Sequence, residues 1–439
     1  VIGMGVYKLI GGFSSKKEET ILESNMVQTI GSAGESLAAG AIFTMPVLFL
    51  WAAEKKAQMP SIVEIALIAM IGGLLGICFM VPLRKALIVK EHGTLPYPEG
   101  TACAEVLLAG QEGGANAAIV FIGMGISALA KFIVDGLKVV SNVVTIPIQK
   151  IHTEVSAEVY PALISVGYIC GFKIASYMFA GAILGWLVMI PAIYLFGANT
   201  ILYPATVTIA EVWKSGGASG IWSNYIRYIG AGAVAAGGII SLVKSLPLIF
   251  HTFVDALRGM MNKEAIGKEE RTNRDMNMGL VLGMLAVLII LIAVLPVIPI
   301  GVLGAIIIVI FGFFFAAVSS RMVGLVGSSN NPVSGMAIAT LLITSLILKA
   351  TGNSGASGMV AAIAIGSVIC IVAAMAGDMS QDLKTGYILG ATPVKQQYGE
   401  LIGAVVSAIT IGFVLYLLNS AWGFGTPALA APQATLMKM

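Results

Sequence analysis

Charge-free windows about the length of a membrane helix recur along the chain. A hydrocarbon core needs about 20 mostly apolar residues in a helix. Such windows lie between Glu35 and Glu54, between Glu64 and Arg84, and between Glu112 and Lys131. The window Ile174–Ala210 opens with a span ending near Phe196. Tyr228–Val243 belongs to a span that starts near Ile221 and carries Arg227. Met276–Pro296 and Pro299–Ser320 are two clean spans joined by a tight proline turn. Val333–Leu348, Ser354–Gly377 and Leu401–Leu418 complete the series, beside an apolar fragment at Val1–Gly12. The pattern predicts an all-α, polytopic transmembrane bundle with about ten full spans. A soluble helical core does not explain it, because soluble helices need polar faces.

Two apolar stretches, Pro98–Gly110 and Tyr160–Gly171, are short or interrupted and predict broken or re-entrant helices. Irregular backbone is tolerated at membrane depth where protein or a water-filled cavity satisfies it. Carriers often build their substrate site from such segments. Glycine pairs four residues apart, Gly72/Gly76, Gly167/Gly171 and Gly181/Gly185, predict close helix packing in lipid. The chain starts at Val1 inside an apolar stretch, so residues 1–439 are expected to form a single transmembrane domain, incomplete at both termini.

Composition strengthens this picture. Hydrophobic residues make up 58% of 439 positions and charged residues 11%. Soluble domains average roughly 25% charged. Mean hydropathy is +0.94. The net charge of +3 is too small to argue for nucleic acid. The positive-inside rule places the basic loop Lys244–Asp275 in the cytoplasm. Counting from it puts Lys138–Glu158 and the expected loop Asp378–Gln397 inside. Gly197–Gly220, the Pro296–Pro299 turn and Lys349–Asn353 then lie outside. Cys78, Cys103, Cys170 and Cys370 form no CxxC, and His92, His152 and His251 have no metal spacing. No metal site and no cofactor is expected. Walker, GxSxG and HExxH motifs are absent, which leaves ATP-driven transport and hydrolase chemistry unsupported.

Four polar stretches carry the candidate chemistry. In a helix Ser32, Glu35 and Ser36 share one face, and Gln28 extends it. A carboxylate there can face a polar cavity and take a proton or a cationic group, since an ionisable group inside a span is costly. Pro96 and Pro98 favour a helix start with Glu99 in its first turn, and Glu105 follows among small and apolar residues. Both glutamates are candidates for a substrate or proton path. After the next span, Ser328, Ser329, Asn330 and Asn331 offer neutral hydrogen-bond groups before Pro332, and Arg321 can pair with a carboxylate on substrate or protein. A peptide-like ligand needs such groups, because each unpaired polar group costs about 1–3 kcal/mol. Last, Asp378, Gln381, Asp382 and Lys384 cluster, with Gln396 and Gln397 before the next span. Asp378 and Asp382 stand four apart and can share a helix face. Close carboxylates favour reversible protonation.

Several of these stretches resemble the oligopeptide transporter (OPT) family, which includes the yellow-stripe-like carriers. They are QTIGSAGESLAAG at Gln28–Gly40, LPYPEGTACAEVL at Leu95–Leu107, SSNNPVSGM at Ser328–Met336 and GDMSQDLKTGYILGATPVKQQ at Gly377–Gln397. They are spread over most of the chain. The NPG and KIPPR signatures of the fungal and plant peptide carriers are missing, so the chain looks closer to the prokaryotic and yellow-stripe-like side. The resemblance implies about 16 spans in a complete member, each of membrane length. It implies proton-coupled symport of small oligopeptides or peptide-like metal chelates, such as nicotianamine or siderophore complexes. The expected location is the cytoplasmic membrane, with lipid and substrate as partners. A homo-oligomer is compatible with such a bundle. Glu35, Glu105 and Asp378 are the expected proton-coupling groups. Competing readings are a channel, which would conduct without saturation or counterflow, and a membrane enzyme, for which no nucleophile or metal constellation is visible.

Overall fold

A computed structural model describes residues 17–112, 114–141, 143–230, 232–233, 236–237, 240, 247, 270–295, 300–353, 355–426 and 428–438. In chain order the helices are α1 (Lys17–Thr44), α2 (Pro46–Ala53), α3 (Ile62–Arg84), α4 (Pro98–Glu112) and α5 (Gly114–Lys131). A β-hairpin follows, β1 (Val143–Ile148) and β2 (Thr153–Glu158). Then come α6 (Pro161–Ala182), α7 (Ile190–Gly197), α8 (Ile209–Ile221), α9 (Met278–Val294), α10 (Gly301–Val326) and α11 (Val333–Ala350). The last three are α12 (Ala356–Leu389), α13 (Pro393–Ala421) and α14 (Pro432–Lys438). Among the described residues nine helical segments are long and apolar enough to cross a bilayer. Of the further span expected from Ile221 to Val243, residues 221–230 are helical, and eight of the later positions fall outside the described residues. So do Val1–Gly12, the Pro296–Pro299 turn, His251 and most of Lys244–Asp275.

The chain divides into two compact units, Val1–Gln111 with Ala235–Met439, and Glu112–Val234. The first is built around α12. Residues of this helix are 89% buried in its most apolar window, and α1, α3, α10 and α11 all pack against it. Close approach depends on small side chains. A Cβ on Gly72 would lie 2.8 Å from Ile371 Cβ. A Cβ on Gly76 would lie 2.8 Å from Met375 Cβ and 3.0 Å from the Val372 carbonyl. Apolar helices in lipid gain little from hydrophobic burial, so van der Waals fit of this kind holds them together.

The structure corrects the expected end of this span. The stretch from Asp378 is not a loop: α12 runs unbroken for 34 residues to Leu389 and stops at Gly390. At 1.5 Å per residue it is about 50 Å long, well beyond the roughly 30 Å hydrocarbon core. Its polar end stays helical because neighbouring helices, not water, satisfy its side chains. Pro98–Gly110 does form a short helix, α4, of 15 residues, about 22 Å long.

The second unit has a small core of Ile190, Ile209, Val212, Ile221 and Tyr225. The β-hairpin pairs Val143 with Glu158 through Ile148 with Thr153, antiparallel. Sequence alone predicted only a loop there. His152 at its turn stacks on Tyr194 with ring centroids 3.7 Å apart. Tyr160–Gly171 is interrupted where expected. It opens a longer helical run, Pro161–Gly197, broken at Gly171, whose φ of +79° is open to glycine and strained for other residues. Gly167, Gly171 and Gly181 have no atom within 4 Å of a built Cβ, and Gly185 has only Ile226 Cγ2 at 3.5 Å. These two pairs therefore make no tight contact among the described residues. The apolar window of α5 is fully unburied, a surface suited to lipid.

We expect Gly76→Val to destabilise the first unit by about 1–3 kcal/mol through overpacking against α12. Gly283→Val, where nothing lies within 4 Å, is expected to leave the melting temperature of the detergent-purified protein unchanged in a thermal-shift assay.

Candidate functional site: an acidic cavity beside α12

A cavity of about 430 Å³ opens beside the polar end of α12. Helix α1 contributes Gln28, Ser32 and Glu35, and α4 contributes Glu99, Gly100 and Cys103. The turn between α10 and α11 adds Ser328, Ser329 and Asn331, and α12 adds Asp378, Gln381, Asp382 and Thr385. Four carboxyl groups line it, and among the described residues no Lys, Arg or His does.

Each wall is fixed by hydrogen bonds from another element. Ser32 Oγ donates to Asp378 Oδ2 at 2.6 Å and Ser328 Oγ to Asp378 Oδ1 at 3.3 Å. Gln28 Nε2 donates to Asp382 Oδ1. Gln381 clamps two helices onto α12. Its Oε1 accepts from Gly100 N at 2.7 Å, and its Nε2 donates to the Val323 carbonyl at 2.9 Å. Thr385 Oγ1 donates to the Gly100 carbonyl at 2.8 Å.

The start of α4 is set by Tyr97, which is fully buried. Its N–H donates to the Gly324 carbonyl at 2.9 Å and its hydroxyl to the Ser320 carbonyl at 3.2 Å. Burial pushes the phenol up from its ordinary value, so it remains a neutral donor. Glu99 then accepts the backbone N–H groups of Ser328 at 2.7 Å and Ser329 at 3.1 Å. Gly327 makes this approach feasible: a Cβ there would stand 2.7 Å from Glu99 Oε1, and its φ is +84°.

The cavity thus gathers Gln28, Ser32, Glu35, Glu99, Asn331, Asp378, Gln381 and Asp382 from four distant stretches of sequence. Asn331 donates to Ser319 Oγ at 2.8 Å. The other candidates lie elsewhere. Glu105 is exposed and does not line the cavity. It stands six residues after Glu99, and at about 100° per residue that points it to another face of α4. Arg321 holds Glu91 through Nη1, at 2.8 and 2.7 Å from its two oxygens. Its carboxylate partner is therefore within the protein. Asn330 donates to the Val326 carbonyl at 2.8 Å. Buried Lys384 donates to His92 Nδ1 at 2.8 Å and to the Leu95 carbonyl at 3.2 Å, tying α12 to the segment before α4. Burial and the Lys384 ammonium hold the His92 imidazole below its ordinary range. Gln396 sits behind the cavity, donating to the Asp382 carbonyl at 2.9 Å and to Thr29 Oγ1 at 3.2 Å. Gln397 accepts from Met276 N at 2.6 Å and donates to Asp275 at 2.8 Å.

Two features escaped sequence reading. Arg84 is 1% exposed and forms an ion pair with Asp275, with Nε–Oδ1 at 2.5 Å and Nη2–Oδ2 at 3.1 Å. Glu400 is fully buried, and its carboxyl lies within hydrogen-bonding reach of that of Asp382. The signal for Glu400 was a lone carboxylate four residues after Gln396 on an otherwise apolar helix. Among the described residues no three His, Cys, Asp or Glu side chains come together as a metal-holding group.

Membrane-length helices enclosing a polar interior define an integral, multi-pass membrane protein. The sequence profile of the OPT oligopeptide transporter protein matches residues 1–439, and the chain belongs to the oligopeptide transporter family. A provisionally named oligopeptide transporter of Haemophilus influenzae is 32% identical over 475 aligned positions, covering all of this chain and 71% of the relative. A provisionally named oligopeptide transporter of Saccharomyces cerevisiae is 24% identical over 317 positions, covering 63% of this chain and 42% of the relative.

Replacing Gln381 by Leu leaves the Gly100 N–H and Val323 carbonyl without their partner. The expected loss is about 1–3 kcal/mol for each orphaned group, read as a lower melting temperature of the purified protein.

Proposed function

We propose that the chain forms the substrate-holding part of a proton-coupled carrier for small oligopeptides in the cytoplasmic membrane. The observation that carries this reading is the cavity itself: hydrogen-bonding groups and four carboxyl groups, with no basic side chain among the described residues, in the interior of an apolar bundle. A peptide sheds water from many donors and acceptors when it enters such a space. Ser328, Ser329, Asn331, Thr385 and Gln28 offer replacements. The family membership and the names of the two relatives support the same substrate class.

The charge of the lining sets the orientation. A peptide ammonium group finds Asp378 and Glu35, whereas a peptide carboxylate finds no cation in the lining. The amino end is therefore the end held here. An ion-coupled carrier needs a group that changes charge inside the membrane, and ionisable residues within spans serve such roles. Asp378 meets that need at the cavity wall, in contact with two serine hydroxyls that can follow its protonation.

The acidic lining also favours a second reading, uptake of a cationic metal chelate. Without a metal-holding group among the described residues, the metal would arrive inside its own ligand and meet the carboxylates through outward-facing ammonium groups.

Uptake of labelled di- and tripeptides into proteoliposomes separates these readings. We expect saturable uptake, stimulated by an inward proton gradient, with counterflow. A channel shows neither saturation nor counterflow. Acetylating the peptide amino terminus removes a charge-assisted hydrogen bond of about 1.5–3 kcal/mol, so its inhibition constant should rise roughly 10- to 100-fold. Asp378→Asn should abolish the acid stimulation. Uptake of chelates with no response to peptides would overturn the peptide assignment.

A further inference from the structure

Asp382 and Glu400 present a charge problem that the rest of the site does not share. Asp382 is 2% exposed and Glu400 is 0% exposed. Their carboxyl groups, one on α12 and one on α13, lie within hydrogen-bonding reach of each other. Gln28 serves Asp382 Oδ1, but Asp382 Oδ2 and both Glu400 oxygens meet no N–H or O–H of the described protein. Among the described residues no cation offsets them. Lys384 turns to His92 and Leu95, and Arg84 is engaged by Asp275. The other titratable groups facing this region are Asp378 on α12, Glu35 on α1, and Glu99 and Cys103 on α4. Among the described residues all are acids or a thiol, and none supplies positive charge. Two carboxylates in contact, buried and without a counter-ion, cannot both stay ionised. One O–H between them removes the repulsion and joins two of these three oxygens in a hydrogen bond.

We infer that Asp382 and Glu400 share one proton, and that this pair is a second proton-carrying site of the transporter, behind Asp378. The inference rests on the proton-coupled reading proposed above and adds to its coupling step a pair that reaches beyond the cavity wall. The geometry gives the pair a route. Asp382 lines the cavity while Glu400 lies behind it, beyond the reach of cavity water. Release breaks the O–H bond at Asp382, hands the proton to a water in the cavity as hydronium, and leaves two carboxylates. Their repulsion drives uptake of the next proton by the reverse step. Gln28 and Gln396 steady Asp382 through its side chain and its carbonyl, and neither takes part in the transfer.

Two measurements test the assignment. Infrared spectra of the purified wild-type protein at neutral pH should contain the carbonyl stretch of a protonated, buried carboxylic acid, and Glu400→Gln should remove it. In proteoliposomes Glu400→Gln, which fixes a neutral donor at this position, should bring the accumulation ratio under a proton gradient to unity while exchange counterflow continues. Asp382→Asn should give the same infrared result and serves if Glu400→Gln does not fold. A spectrum without that band, or with the band intact in both variants, overturns the shared proton. Proton-driven accumulation that survives Glu400→Gln overturns the coupling role. If the wild type shows the band but no proton-driven accumulation, the proton-coupled reading and the coupling role fall together, while the shared proton stands.

Discussion

A carboxylate that enters a bundle of apolar helices loses the water that stabilised its charge, and something within the protein must replace it. Several polar contacts around the end of α12 answer that demand. Asp378 takes two serine hydroxyls, from α1 and from the turn after α10. Glu99 takes two backbone N–H groups of the same turn. Asp382 takes a glutamine amide from α1. Because each donor lies on a different element from the carboxylate it serves, satisfying the carboxylates also fixes where α1, α4, α12 and the turn after α10 stand. The cavity is a by-product of this arrangement: acidic groups held in place at its wall, with oxygen atoms left for a ligand. Glu400 is the group for which no donor was provided, which is why its chemistry differs.

Packing does the complementary work along the apolar part of α12. Gly72 and Gly76 bring α3 close to its backbone, and Gly40 does the same from α1, where a Cβ would lie 2.7 Å from Ile371 Cα. Dispersion forces fall off steeply with distance, so this closeness is the main source of cohesion between helices that share an apolar solvent.

Much of this was legible in the chain. Spans announce themselves because a membrane tolerates few charges over about 20 residues, and the polar stretches interrupting them were the ones that meet at the cavity. The failures have physical reasons. Asp378–Leu389 reads as a loop because a local window cannot know that other helices will supply its hydrogen bonds. Glu105 reads as a site residue by its apolar surroundings, yet helical phase turns it away from Gly100 and Cys103. Arg84–Asp275 and Asp382–Glu400 are contacts between residues far apart in sequence, invisible without an alignment of helices in space. The hairpin of β1 and β2 also eluded periodicity: its strands are almost wholly exposed and carry no alternation of buried and exposed positions.

The long helix α12 joins two mechanically different halves. From Ala356 to Gly377 its neighbours touch hard atomic walls, where a slide of a few tenths of an ångström is already repulsive. From Asp378 to Leu389 it is secured by directional polar bonds, which water can trade for equivalents at little net expense. The two ends of the rod are thus held by different forces: enlarging a side chain is felt first in the apolar stretch, whereas removing a polar partner is felt first beside the cavity.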